Sequence, residues 1–180
     1  MSGSPIRVNA IAIAVKTLSD ADGNVYQAVT IGTQTWMAEN LKTTKYNDGT
    51  NIPAEIFWIQ VHSPAYCWYD DDDVKYKDLY GALYNLYAVE TEKICPTGWH
   101  VPSDDEWITL ETYITNDGVL GSERTALKAT SGWNRDNNGT DNYGFTALPG
   151  GYRSNYDGSF SSVGDYAYWW SSTHLGSENA

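Results

Sequence analysis

The stretch CPTGWHVPSDDEWITL, residues 95–110, carries the strongest local constraint in the chain. Ser103-Asp104-Asp105-Glu106 has the S-x-x-E form of a capping box, in which the Ser103 hydroxyl accepts from the Glu106 amide while Glu106 accepts from the Ser103 amide. A helix is therefore predicted from Asp104 onward. Asp104 and Asp105 sit in its first turn, where the positive end of the helix dipole favours carboxylates, and Trp107, Leu110 and Ile114 form its buried stripe. The acidic cluster is explained without chemistry. His100, just before the cap, is expected to support the cap or the core rather than to act as an acid or base.

Upstream the periodicity is that of strands. Residues 16–38 alternate around two turn signals, Asp22-Gly23-Asn24 and Gly32-Thr33, with Val25, Val29 and Ile31 on one face and Tyr26, Ala28 and Thr30 on the other. This predicts a β-meander. RVNAIAIAV, before it, also alternates, so residues 1–16 are expected to be an appended remnant or a leading strand, ahead of one domain over 17–180. Residues 42–66, with Asn47-Asp48-Gly49, Pro53 and Pro64, predict a long irregular connection with a short strand or turn near 56–61. Tyr80, Leu83, Tyr84, Tyr87 and Ala88 recur at helical spacing and predict a helix over 80–88. SERTALKA suggests a brief further helix, after which YGFTAL, GGYRS, GSFSSV and AYWWSS read as aromatic strand fragments between turns.

A net charge of −12 repels phosphate backbones and anionic lipid, so nucleic acid is not an expected partner. The longest apolar stretch, Ala10 to Val15, falls far short of the roughly eighteen residues a membrane helix needs, and no membrane insertion is expected. Cys67 and Cys95 are compatible with one disulfide, two free thiols or a lost partner, and with three scattered His they do not make a zinc site.

Two oxygen-rich stretches are candidate calcium loops. Asn134, Asp136 and Asn138, followed by Gly139, match the start of such a loop, with Asp141 as a further donor, although Phe145 stands where a bidentate carboxylate belongs. Tight turns have the same composition. Asp70 to Asp73 are the second stretch, expected to be a solvated acidic loop. Eight Trp and fourteen Tyr against three Phe give most rings a polar handle. Tyr152, Arg153, Tyr156, Tyr166, Tyr168, Trp169 and Trp170 gather such side chains near the C-terminal end, and these types dominate binding hot spots. No G-x-S-x-G or comparable nucleophile turn occurs.

VTIGTQTWMAENLKTTKYNDGTNIP, AYCWYDDD, YGALYNLYAV, ICPTGWHVPSDDEWITL, GFTALPGGYRS and YWWSST, in that order, closely resemble the bacterial Fibrobacter succinogenes major paralogous domain family, from about Val25 to Thr173. The resemblance implies an α+β, C-type-lectin-like fold, in which two main helices flank small twisted antiparallel sheets with long loops. It also implies a secreted or surface-exposed bacterial module. Formylglycine-generating enzymes and retroelement variable proteins are similar in fold, and the LPTEAEW helix start of the former is similar to VPSDDEW here. Copper-dependent oxidation of the formylglycine-generating kind needs a pair of cysteines in the C-terminal part of the chain, and none follows Cys95. The E-P-N and Q-P-D tripeptides of calcium-dependent sugar binders are absent too.

Family members typically continue into a closing strand with a cysteine, whereas this sequence stops at Ala180. The resemblance thus leads to an expectation that the final strand is lacking. The expected function is a non-catalytic recognition or display module, binding protein or glycan through Tyr152, Arg153, Tyr156, Tyr168 and Trp170. The alternative is an assembly module whose sheet edge is completed by another chain or a second copy. A formylglycine-generating-type enzyme is a distant third.

Overall fold

Asp20 organises the first turn of the chain. Its carboxylate accepts from the amides of Asp22 and Asn24, both at 2.9 Å, and from the Tyr26 hydroxyl. The computed structural model describes residues 16–118 and 123–173. In it this turn joins β1 (Lys16–Ser19) to β2 (Val25–Ile31), and the Gly32-Thr33 turn leads to β3 (Gln34–Met37). The three form an antiparallel sheet in the order β1-β2-β3, with Val29 opposite Trp36 and Ile31 opposite Gln34. The meander is as predicted, but the buried face changes along β2. Tyr26 and Ala28 are buried at its start and Ile31 at its end, while Val25 is exposed. The first half is covered by the chain at Lys42, whose amide donates to the Tyr26 hydroxyl at 3.1 Å. The second half packs on the helix that carries Leu110. Twist of the strand serves both neighbours.

Residues 42–66 are irregular, as expected, and are held by tertiary bonds rather than their own periodicity. Asp22 accepts from the Thr43 hydroxyl at 3.2 Å and from both Thr44 donors, and Tyr84 donates to the Thr43 carbonyl at 2.7 Å. Of the strand or turn expected near 56–61 the structure has the turn, at 59–60, with Trp58 buried while Ile56, Phe57 and Ile59 are exposed.

The helix predicted over 80–88 is replaced by three elements. After β4 (Tyr66–Cys67) and a 3-10 turn at Tyr69–Asp71, helix α1 spans Asp73–Tyr80, strand β5 is Leu83–Tyr84, and α2 is the single turn Leu86–Val89. Gly81 decides the break. Its φ is +73°, and a Cβ there would stand 2.7 Å from the Leu41 carbonyl oxygen. Ala82 N donates to that same oxygen at 2.9 Å, which draws the chain out of the helix and into pairing with β4. Asn85 then caps α2 by accepting from Ala88 N. The acidic run is likewise more than a solvated loop. Asp72 caps α1 by accepting from Lys75 N at 3.0 Å, and Asp71 pairs with Arg153.

Helix α3 (Asp104–Asn116) begins with the predicted capping box, Glu106 N to Ser103 Oγ at 3.3 Å and Ser103 N to Glu106 Oε2 at 2.8 Å. Leu110 and Ile114 are buried. Ser103→Ala is expected to lower stability by about 1 kcal/mol in urea denaturation. The Ser103 amide, aided by His100 at 2.8 Å, holds the Glu106 carboxyl below its ordinary 4.5. The folded state therefore binds this proton less readily than the unfolded one, so the contribution is complete above pH 4.5 and fades as pH falls through the lower folded value. The stability gap between the native chain and Glu106→Gln should accordingly close on acidification, which melts at stepped pH would read.

Helix α4 (Glu123–Leu127) is the predicted short one, and β6 (Gly150–Arg153) pairs antiparallel with β7 (Phe160–Val163). The AYWWSS segment is not a strand. The architecture is α+β, with apolar clusters around Ile31, Leu110 and Phe145, around Tyr66, Ala88 and Cys95, and around Trp58 and Cys67. Cys67 and Cys95 thus lie in different clusters and are both free. Among the described residues no helix is long and apolar enough to cross a membrane.

Candidate functional site

An open cleft of about 1320 Å³ lies between β3, the β5–α2 segment, the loop leading into α3, and residues of 145–155 and 167–170. Its floor is aromatic because three patterns converge there. Alternation in β3 turns Trp36 toward α3, the helical stripe of α3 presents Trp107, and the bridge of Ala147 to Lys128 brings Phe145 alongside. Trp36 and Trp107 lie 4.8 Å apart, with Phe145 edge-on to both at 5.9 and 6.4 Å. Trp169 closes the cluster at 6.1 Å from Phe145.

The segment Tyr168–Thr173 crosses the cleft and is tied down by its polar groups. Trp170 Nε1 donates to the Tyr84 carbonyl at 2.9 Å, Trp169 Nε1 to Asn40 Oδ1 at 3.1 Å, and Trp107 Nε1 to the Trp170 carbonyl at 3.3 Å. Ser172 N donates to the Pro102 carbonyl, and Thr173 Oγ1 accepts from Asp104 N, one of the free amides at the start of α3. Both tryptophans of the pair nevertheless stay equally exposed, at 42% each, where strand alternation would have turned one in and one out. Trp36 Nε1, by contrast, is buried without a hydrogen-bond partner among the described residues.

The anticipated ligand residues fall into three groups. Tyr152, Tyr168 and Trp170 line the cleft, with Tyr152 edge-on to Tyr168 at 5.1 Å and Tyr166 stacked on Tyr168 at 6.2 Å. Arg153 also reaches the cleft, but its side chain is only 5% exposed. It donates to the carbonyls of Gly158, Glu55 and Ile56, pairs with Asp71 at 3.0 Å, and lies 4.4 Å from the Phe160 ring centroid. Those bonds make it a clamp between the β6–β7 hairpin and the 55–56 loop. Tyr156 is exposed on the hairpin turn and does not line the cleft. Sequence reasoning did not mark Trp36, Trp107 or β3 as parts of a site. Only their spacing was visible, and that spacing reads as core.

In the Asn134–Asp141 loop the side-chain oxygens of Asn138 and Asp141 serve the turn. Asn138 Oδ1 accepts from Trp133 N at 3.1 Å, and Asp141 accepts from Thr146 N at 2.8 Å and from its hydroxyl at 2.9 Å. Asn134 N donates to Gly164 O. Among the described residues no three His, Cys, Asp or Glu side chains gather. Burial pushes both thiols, Cys67 and Cys95, up to about 11, so they remain protonated and poorly nucleophilic near neutrality. What the cleft offers is shape, aromatic surface and hydrogen bonds.

The family model described as the Fibrobacter succinogenes major domain matches residues 29–180. The chain belongs to this family. For this Fibrobacter succinogenes major domain the matched span begins inside β2 and takes in every residue that lines the cleft. No curated protein and no solved structure matches the chain.

Proposed function

We infer that this chain is a non-catalytic recognition module of a secreted or surface-exposed bacterial protein, with a C-type-lectin-like arrangement of its helices and sheets. The cleft is its binding site. The observation that carries this is the cleft itself, apolar and aromatic at the floor and rimmed by Tyr152, Tyr168 and Trp170, with carbonyls and hydroxyls available for orientation. Placement outside the cell rests on the family resemblance. The ligand is protein or glycan, and the acidic chain disfavours anionic partners.

A second role, as an assembly module, is favoured by one feature: among the described residues β3 is an edge strand. A glycan array and a display library of random peptides would find the ligand. Tyr152→Ala and Tyr168→Ala should then each weaken binding about tenfold while the melting temperature stays nearly constant. Binding indifferent to both substitutions would remove the cleft from consideration, and elution as a stable oligomer would favour assembly.

The Asn134–Asp141 loop functions as a metal-free turn in this scheme, since the Asp141 carboxylate and the Asn138 amide oxygen already accept from Thr146 and Trp133. A melt in EDTA and again with calcium should show no difference. A rise of several degrees on adding calcium would overturn this.

A further inference from the structure

Ile56-Phe57-Trp58-Ile59 sets four apolar residues in succession, and packing uses one of them. Trp58 is buried in the cluster with Ala65 and Cys67, whereas Ile56, Phe57 and Ile59 are 61, 77 and 56% exposed. Tyr156, on the β6–β7 turn, is 88% exposed. None of these four exposed residues lines the cleft. Single apolar residues scattered over a surface are ordinary, but a group of them marks a place where something docks.

The four are grouped because Arg153 draws their backbones together. Its guanidinium donates to the carbonyls of Glu55, Ile56 and Gly158, which holds the hairpin turn against the loop. A Cβ at Gly158, two residues along from Tyr156, would stand 3.4 Å from Ile59 Cγ1. Short bonds fix the exposed residues themselves. Glu55 Oε1 accepts from Phe57 N at 2.6 Å, Ser154 Oγ from Tyr156 N at 3.2 Å, and Ser154 O from Gly158 N at 3.0 Å. A partner therefore meets backbone that is already ordered, which lowers the cost of binding.

Charge decides what kind of partner fits. Glu55 and Asp157 adjoin the exposed residues in sequence, and Asp71 bonds to the same Arg153 nitrogen that donates to the Glu55 carbonyl. The cation at this junction, Arg153, is only 5% exposed and is paired with Asp71. The border is thus acidic, on a chain of net charge −12, which opposes a second copy or an anionic lipid surface and favours a basic partner.

We propose that Ile56, Phe57, Ile59 and Tyr156 form a second interaction surface, for a partner protein that presents apolar side chains flanked by lysine or arginine. The surface does not rest on the cleft being a binding site.

The test is selection of a random dodecapeptide display library on the full chain. The selected peptides should combine aromatic or aliphatic residues with a basic excess. Phe57→Ser and Tyr156→Ser should each weaken them about tenfold or more, with little change in melting temperature because both side chains are exposed. Replacing the lysines and arginines of a selected peptide by glutamine should weaken it several-fold on the native chain, a difference that shrinks in high salt. Tyr168→Ala should leave these peptides unaffected.

Peptides without a basic excess, or indifferent to both serine substitutions, would overturn the proposal, as would an empty selection. A selection made up of peptides lost with Tyr168→Ala would overturn this surface and leave the cleft as the site. Self-association of the native chain in light scattering, abolished by Phe57→Ser, would assign the patch to a second copy, and flotation with zwitterionic vesicles, abolished by the same substitution, would assign it to lipid. Either result overturns a basic protein partner.

Discussion

Arg153→Met is expected to destabilise the chain by about 3 kcal/mol, seen as a lower urea midpoint at unchanged slope. The guanidinium is almost wholly buried, and its removal strands the carbonyls of Gly158, Glu55 and Ile56 as well as leaving Asp71 without its cation. Asp71 is itself about one-third exposed and can rehydrate, which keeps the estimate at the lower end of the range for a broken buried pair. Arg153→Lys should recover little, because one ammonium cannot reach the three carbonyls from the positions a planar fork occupies. The same variant loosens the attachment of the β6–β7 hairpin to the loop over Trp58. Ligand binding should therefore decline with stability, whereas Tyr168→Ala should reduce binding alone.

Gly151→Ala should be comparably damaging, by about 3 kcal/mol, and the reason is space as much as conformation. Gly151 holds φ at +64°, and a Cβ there would lie 2.4 Å from the Ser161 carbonyl oxygen and 2.7 Å from Val163 N, both backbone atoms of the paired strand. Neither can yield without parting β6 from β7. Gly98 is the matched control: its φ of +85° is equally left-handed, but no atom lies within 4 Å of an added Cβ. Gly98→Ala should cost only about 1–2 kcal/mol of backbone strain. Thermal melts of the two variants side by side separate these causes, and equal losses would show that the close approach at Gly151 is immaterial.

Much of the fold was legible wherever the deciding partners lie within a few residues. The α3 capping box closes over Ser103 to Glu106, and the β1–β2 turn is closed by Asp20 with Asp22, Asn24 and Tyr26. The β6 and β7 strands and the short α4 also declared themselves through alternation, turn residues and helix formers. The helix expected over 80–88 failed for the opposite reason. Its apolar spacing was genuine, but the Leu41 carbonyl, forty residues away in the chain, takes the Ala82 amide and leaves no room for a helix through Gly81.

The candidate site divides along the same line. Tyr152, Tyr168 and Trp170 were visible as residue types suited to binding, and they do line the cleft. Arg153 had the same chemistry but a different fate, since Asp71 stands 82 positions away in sequence and 3.0 Å away in space. That β3 ends its sheet among the described residues had no local mark, because a strand is an edge only by virtue of what does not pair with it. By itself the sequence determined the family and, through that resemblance, the α+β class; the start of α3 and the meander were legible because they follow from interactions between near neighbours. Only the tertiary structure decided which aromatics form the floor, which cation becomes a clamp and which strand faces an open cleft, because those outcomes depend on long-range contacts that no local periodicity encodes.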